Sequence, residues 1–152
     1  AMHPLIKHHV FREAARELSS MIDSHKDRIN DLRSATIMDE LHETASQSEH
    51  SRVADVELLD RFGDQLERLE SQLLGLQRMD PHAQMDTIDL GAVVSTDHRN
   101  FIIGPSIEEF EADGRTFQGL TSEAPLFAAL RGKRKGDQVV FGGTTYHVLD
   151  VR

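Results

Sequence analysis

The chain has 152 residues and a mass of 17.1 kDa, a formal charge of −9 and no cysteine. Such a charge argues against a protein that coats nucleic acid by itself, because phosphate binding needs clustered Lys and Arg. The lack of cysteine excludes disulfides, thiolate metal sites and thiol nucleophiles and fits cytosolic residence. No apolar run is long enough for a signal peptide or a membrane span. Ala1 ahead of Met2 reads as an expression remnant.

From Pro4 to about Glu43 there is no internal Pro or Gly, and Phe11, Ala15, Leu18, Ile22, His25, Ile29 and Leu32 recur at alternating spacings of four and three. That spacing predicts a helix with a heptad seam. A second seam over residues 52–79 runs Leu59, Phe62, Leu66, Leu69, Leu73 and Leu76. Folding the chain back between Ala45 and Ser46 sets Ala15 against Leu76, Leu18 against Leu73, Ile22 against Leu69, His25 against Leu66, Ile29 against Phe62 and Leu32 against Leu59. Residues 1–80 are therefore expected to form an antiparallel coiled-coil hairpin, with its tip at about 40–52. Each arm would reach about 50 Å, and His25 would tune the register of the seam.

The tip is polar, and its acidic side chains Asp39, Glu40, Glu43 and Glu49 are candidates for chemistry, set against the ordinary solvated end of a helical pair. Nine histidines are scattered along the chain without HExxH or a comparable ligand spacing, so no intrinsic metal or cofactor is expected.

A linker over 81–87 leads to a domain over 88–152. Residues 88–95 and 100–104 are rich in β-branched and aromatic side chains and predict strands. Asp113-Gly114 is a hairpin signal leading into 116–120, and Gly142-Gly143 joins 138–141 to 144–151, so a mostly antiparallel sheet is expected. Between the hairpins, residues 124–132 predict one short helix with Pro125 in its first turn and Gly132 past its end. Leu126 and Leu130, four apart, share one face and read as core. Arg131, Lys133, Arg134 and Lys135 form the densest basic run, more charge than a helix C-terminus alone asks for. They are the candidate partner-docking residues, together with Pro125 and Leu126.

The run Ala124-Pro125-Leu126-Phe127-Ala128-Ala129-Leu130-Arg131-Gly132-Lys133-Arg134-Lys135-Gly136-Asp137-Gln138-Val139 resembles the C-terminal signature of the Gre-type transcription elongation factors. In that signature Ser-Pro-Leu or Ser-Pro-Ile leads to Ala-Leu-x-Gly-Lys-x-x-Gly-Asp. The terminal strand through Tyr146, His147 and Val148 is similar as well. The resemblance implies a bacterial, cytoplasmic α+β protein: a long antiparallel coiled-coil hairpin before a small FKBP-like antiparallel sheet domain with one short helix. It implies RNA polymerase as partner, gripped at the rim of the secondary channel by the C-terminal domain while the hairpin enters, with nascent RNA met only indirectly.

In the family, paired tip carboxylates hold a second Mg²⁺ shared with the polymerase active site and orient the attacking water. The tip here departs from that pattern: counting back from the helix exit, the two acidic positions fall near Ala45 and Ser48, with Glu49 one residue away. The expectation is a non-enzymatic regulator of elongation. The alternative is a genuine transcript cleavage factor using Glu43 and Glu49 with Asp39 or Glu40, which would stimulate the polymerase's own hydrolysis of backtracked RNA. A prolyl isomerase ranks lower, since a single Tyr and no Trp make an aromatic-lined pocket hard to build. Pairing of hairpins into a dimer is a further alternative, against which the charged flanks favour a monomer.

Overall fold

No proline falls between Pro4 and Pro81, so nothing in that stretch forces the backbone out of the helical region. The computed structural model describes residues 4–42 and 45–152, with side chains over 4–38 and 53–152. Helix α1 spans Lys7–His42 and helix α2 spans Ala45–Gln77. Strands follow in the order β1 Val93–Thr96, β2 Asn100–Ile103, β3 Ile107–Ala112 and β4 Arg115–Leu120, then helix α3 Pro125–Leu130, β5 Gln138–Phe141 and β6 Thr144–Val151. This is the expected α+β layout. The chain divides into two compact units, one made of Ala1–Leu18 with Gln72–Arg152 and the other of Ser19–Ser71.

In the Ser19–Ser71 unit the two helices run antiparallel. His25 stacks edge-on against Phe62 with ring centroids 5.3 Å apart, and further on the Thr36 hydroxyl donates to Asp55 Oδ2 at 3.0 Å, so advancing along α1 means retreating along α2. Ile22, Ile29 and Leu69 are buried in the seam. Leu32, Leu59, Phe62 and Leu66 are only partly covered, since a pair of helices shields each stripe from one side alone. Two members are polar. The Thr36–Asp55 contact replaces an apolar layer, and the hydroxyl also approaches the Leu32 carbonyl at 2.8 Å. His25 is buried with its Nε2 lacking a hydrogen-bond partner.

In the other unit the strands form one sheet in the order β3-β4-β2-β1-β6-β5. It is mixed rather than wholly antiparallel: β4 inserts between β3 and β2 and runs parallel to β2, with Asn100 opposite Phe117 and Ile103 opposite Leu120. The β2–β3 connection must therefore pass over β4, and Gly119 makes room for it. A Cβ at that position would lie 2.3 Å from the Pro105 carbonyl oxygen and 2.7 Å from the Ile107 nitrogen, both backbone atoms. Both hairpins expected from sequence form. Asp113 and Gly114 have φ of 51° and 73°, and Gly142 and Gly143 have φ of 57° and 78°, the left-handed pair that a two-residue turn needs to match strand twist.

The sheet is buried on both faces over its central strands β1 and β2, while Val140 of β5 and Leu149 of β6 are exposed. Val94, Phe101, Ile103, Val139, Tyr146 and Val148 point to the side covered by Leu126, Phe127 and Leu130 of α3. Val93 and Ile102, paired across β1 and β2, point the other way and are equally buried. On that second side lie Phe110 and Phe117, stacked at 5.7 Å. The buried residues of the helix ends in this unit, Leu5, Val10, Phe11, Ala14, Leu18 and Leu76, provide the apolar surface to cover it. Ala14 is buried and Ala15 only partly so, because the start of α1 is covered over a wider arc than a two-helix seam requires.

Polar contacts tie this helix end to the sheet. Asp113, at the β3–β4 turn, accepts the Ile6 N–H at 2.9 Å and bonds His9 Nδ1 at 2.8 Å. Its partial burial works to raise its pKa, but the Ile6 and His9 hydrogen bonds prevail and hold the carboxyl below the usual carboxylate range. Arg152 donates to the Leu5 carbonyl at 2.7 Å and Gln72 Oε1 accepts from the Ser106 N–H at 2.8 Å.

The strand expected over 88–95 is shortened to Val93–Thr96. Ile88 instead exchanges backbone hydrogen bonds with the loop after α3, its N–H to the Lys133 carbonyl at 2.9 Å and its carbonyl from the Gly132 N–H at 2.8 Å. Ile88 is completely buried, so the core claims this residue as an anchor and turns its backbone away from the sheet.

Two outcomes follow from this packing. Gly119→Ala should cost about 2 kcal/mol or more, read as a lowered urea midpoint, because the obstructing atoms are backbone. His25→Leu should raise the stability of the helical pair by about 1 kcal/mol, because an unsatisfied buried nitrogen costs about 1–3 kcal/mol; a lowered midpoint would mean that His25 has a partner after all.

Candidate docking surface

Pro125 occupies the first turn of α3, where its missing N–H costs nothing. Ala124 sits at the N-cap in an extended conformation with no side-chain cap hydrogen bond. A Ser or Thr here would supply one, so the start of this helix rests on proline alone. Leu126, Phe127 and Leu130 are buried by α3, which places Leu126 in the core while Pro125 stays exposed.

At the end of α3 the chain turns so that much of its backbone is hydrogen-bonded while most of its cations are left without an ion pair among the described residues. The Arg131 N–H donates to the Phe127 carbonyl at 2.8 Å and the Lys133 N–H to the Leu130 carbonyl at 3.0 Å. Asp137 then closes the loop: its Oδ2 accepts the Arg134 N–H at 2.8 Å and its own N–H donates to the Arg134 carbonyl at 3.0 Å. The Gly136 N–H and the Asp137 carbonyl pair with Val148 of β6 at 2.8 and 2.9 Å. The Gly-Asp pair thus has a mechanical use, fastening the basic loop to the sheet at both ends.

The side chains of Arg131, Lys133, Arg134 and Lys135 are all exposed. Arg131 lies 3.7 Å from Asp89 and 5.9 Å from the Phe127 ring centroid, which leaves it partly engaged. Lys133, Arg134 and Lys135 form no ion pair among the described residues. A contiguous set of cations held on a rigid loop, with little internal neutralisation, is suited to an acidic partner surface.

Of the acidic tip candidates, Glu43 and the side chains of Asp39, Glu40 and Glu49 lie outside the described residues. Among the described residues no helix is long and apolar enough to cross a membrane. Sequence reasoning missed the Asp113 contact to Ile6 and His9, whose partners are more than 100 positions away. No local signal could have revealed it.

No family profile matches the chain, and no curated protein matches it significantly. Among solved structures, the crystal structure of GreA factor homolog 1 (Gfh1) of Thermus thermophilus aligns over 91% of this chain and 94% of its own, at 13% identity and a TM-score of 0.34. A structure of the transcription factor Gfh1 aligns over 90% of this chain and 92% of its own, at 18% identity and a TM-score of 0.33. At such scores neither likeness bears on what this chain does.

The division of labour within this element is open to measurement. Leu130→Ala should cost about 2–5 kcal/mol, whereas Lys135→Ala should leave the thermal midpoint within the effect of about 0.5 kcal/mol expected at a surface position.

Proposed function

We propose that the chain is a regulator of RNA polymerase that docks through the domain over 88–152 and presents the helical hairpin to the secondary channel, modulating elongation without itself being an enzyme. The observation that carries this reading is the signature over residues 124–139. Its Pro starts α3, its Gly-Asp fastens the loop and its cations stand exposed, an arrangement made to meet another surface. The two long helices ahead of a mixed sheet are in keeping with that role.

Modulation is preferred to cleavage because the positions that would carry the paired acids hold Ala45 and Ser48. Without two oxygen ligands at the right spacing a second Mg²⁺ has nothing to hold it beside the attacking water.

Core RNA polymerase should retain the chain in a pull-down at micromolar concentration. Joint replacement of Lys133, Arg134 and Lys135 by Glu should weaken retention tenfold or more, because reversing charges places like against like. Failure of the unaltered chain to bind would remove the reading. Short RNA fragments released from stalled complexes in the presence of the chain and Mg²⁺ would replace modulation by cleavage.

A further inference from the structure

Beyond the Thr36–Asp55 contact the helical pair exposes aliphatic side chains that its own seam does not use. Ile37 is 59% exposed, Val53 61% and Val56 54%. All three lie one residue past a seam position, since 36 is followed by 37 in α1 and the seam of α2 passes through 52 and 55. Residues at that offset share one flank of a helix, and in an antiparallel pair the two such flanks lie on the same side. Grouped apolar side chains, unlike scattered single ones, point to an interaction surface.

The same offset places Lys26, Asn30 and Arg33 of α1 and Asp60 and Glu67 of α2 on this flank. All five are exposed, and neither the two cations nor the two acids form an ion pair among the described residues. The antiparallel match that brings Thr36 to Asp55 at 3.0 Å sets the heights: Ile37 stands level with Val53 and Val56, Arg33 with Asp60, and Lys26 with Glu67, each within about half a helical turn. One helix thus offers an aliphatic side chain and two cations, and the other offers two aliphatic side chains and two acids, in matching order. The opposite flank, one residue before the seam, holds Arg28, Arg61 and Arg68 against the single acid Asp31, so pairing it with itself would set like charge on like.

We propose that the flank bearing Ile37, Val53 and Val56 is a self-association surface, through which two copies of the chain pair across a twofold axis parallel to their helices. That operation lays α1 of one copy along α2 of the other and makes a short four-helix contact. Ile37 then packs on the partner's Val53 and the partner's Val56, while Arg33 and Lys26 meet the partner's Asp60 and the partner's Glu67. Charged flanks read from sequence as a reason for a monomer are complementary on this one side. Asp23, the next residue of the flank toward the start of α1, would meet the partner's Glu67, so the contact ends at Lys26. From there to Ile37 it is about 17 Å long, at the small end of protein interfaces, and the dimer is accordingly weak, with a dissociation constant of about 100 µM.

Sedimentation equilibrium of the full chain from about 10 µM to about 1 mM should show a monomer–dimer equilibrium that shifts toward monomer at high salt, because exposed charge pairs are screened. Arg33→Glu and Val56→Asp should each weaken association at least about fivefold, and Arg33→Glu/Asp60→Arg should restore it to within about twofold of the unaltered chain. Arg61→Glu, on the opposite flank, should leave it unchanged. Circular dichroism checks that each variant keeps its helices, and Val56→Asp decides the matter if the double variant does not. A chain monomeric throughout, association that survives Arg33→Glu or Val56→Asp, a folded double variant that stays as weak as Arg33→Glu, or association altered by Arg61→Glu overturns the proposal.

Discussion

The unit that holds the sheet depends on the burial of β1 and β2 from both sides. Neighbouring side chains in a strand point to opposite faces, yet Val93 and Val94 are both buried, as are Phe101, Ile102 and Ile103. A sheet of this size could leave one face to water and alternate polar residues there. The outer strands follow that alternation, but β1 and β2 do not, and at about 1.5–3 kcal/mol for each large side chain removed from water both of their faces must be covered. Helix α3 covers one. The apolar residues at the chain's helical ends, Leu5 through Leu18 and Leu76, provide for the other, which is why these segments share a compact unit with the sheet while Ser19–Ser71 forms its own.

That demand also explains the position of β4. Inserted between β3 and β2, it puts Phe117 beside Phe110 on the second face and completes the apolar surface there. The chain must then cross over a strand it has not yet laid down, and the crossing is tolerated because position 119 has no side chain to meet the Pro105 carbonyl. Asp113 and its hydrogen bonds to Ile6 and His9 secure the start of α1 at the far end of the same hairpin. A few polar contacts thus set orientation, while apolar burial supplies the free energy.

The docking loop shows how a short segment can serve packing and recognition together. Its backbone is hydrogen-bonded to Ile88, Asp137 and Val148 at several points, so the loop loses little freedom when a partner arrives, and preorganisation of this kind lowers the cost of binding. The assignment of Leu126 is the instructive case. Its place in a signature suggested contact with a partner, but its spacing of four from Leu130 pointed inward, and the periodicity prevailed because it reflects the direction in which the side chain leaves the helix. The basic run was readable because its members are contiguous. The tie from Asp137 to Arg134 lay within three residues and was readable in principle from the Gly-Asp pair.

The sequence by itself determined the two long helices, both two-residue turns, the short helix with its proline start, and the basic run beyond it. Each of these depends on residues within a turn or two of one another: seam spacing, left-handed turn pairs, Pro at a helix start. Only the tertiary structure decided the parallel insertion of β4, the need for glycine at 119, the diversion of Ile88 from the sheet and the Asp113 contact to the start of α1. These join residues dozens of positions apart, and what selects among the possible pairings is which apolar faces must be hidden together, a property of the whole folded unit rather than of any segment.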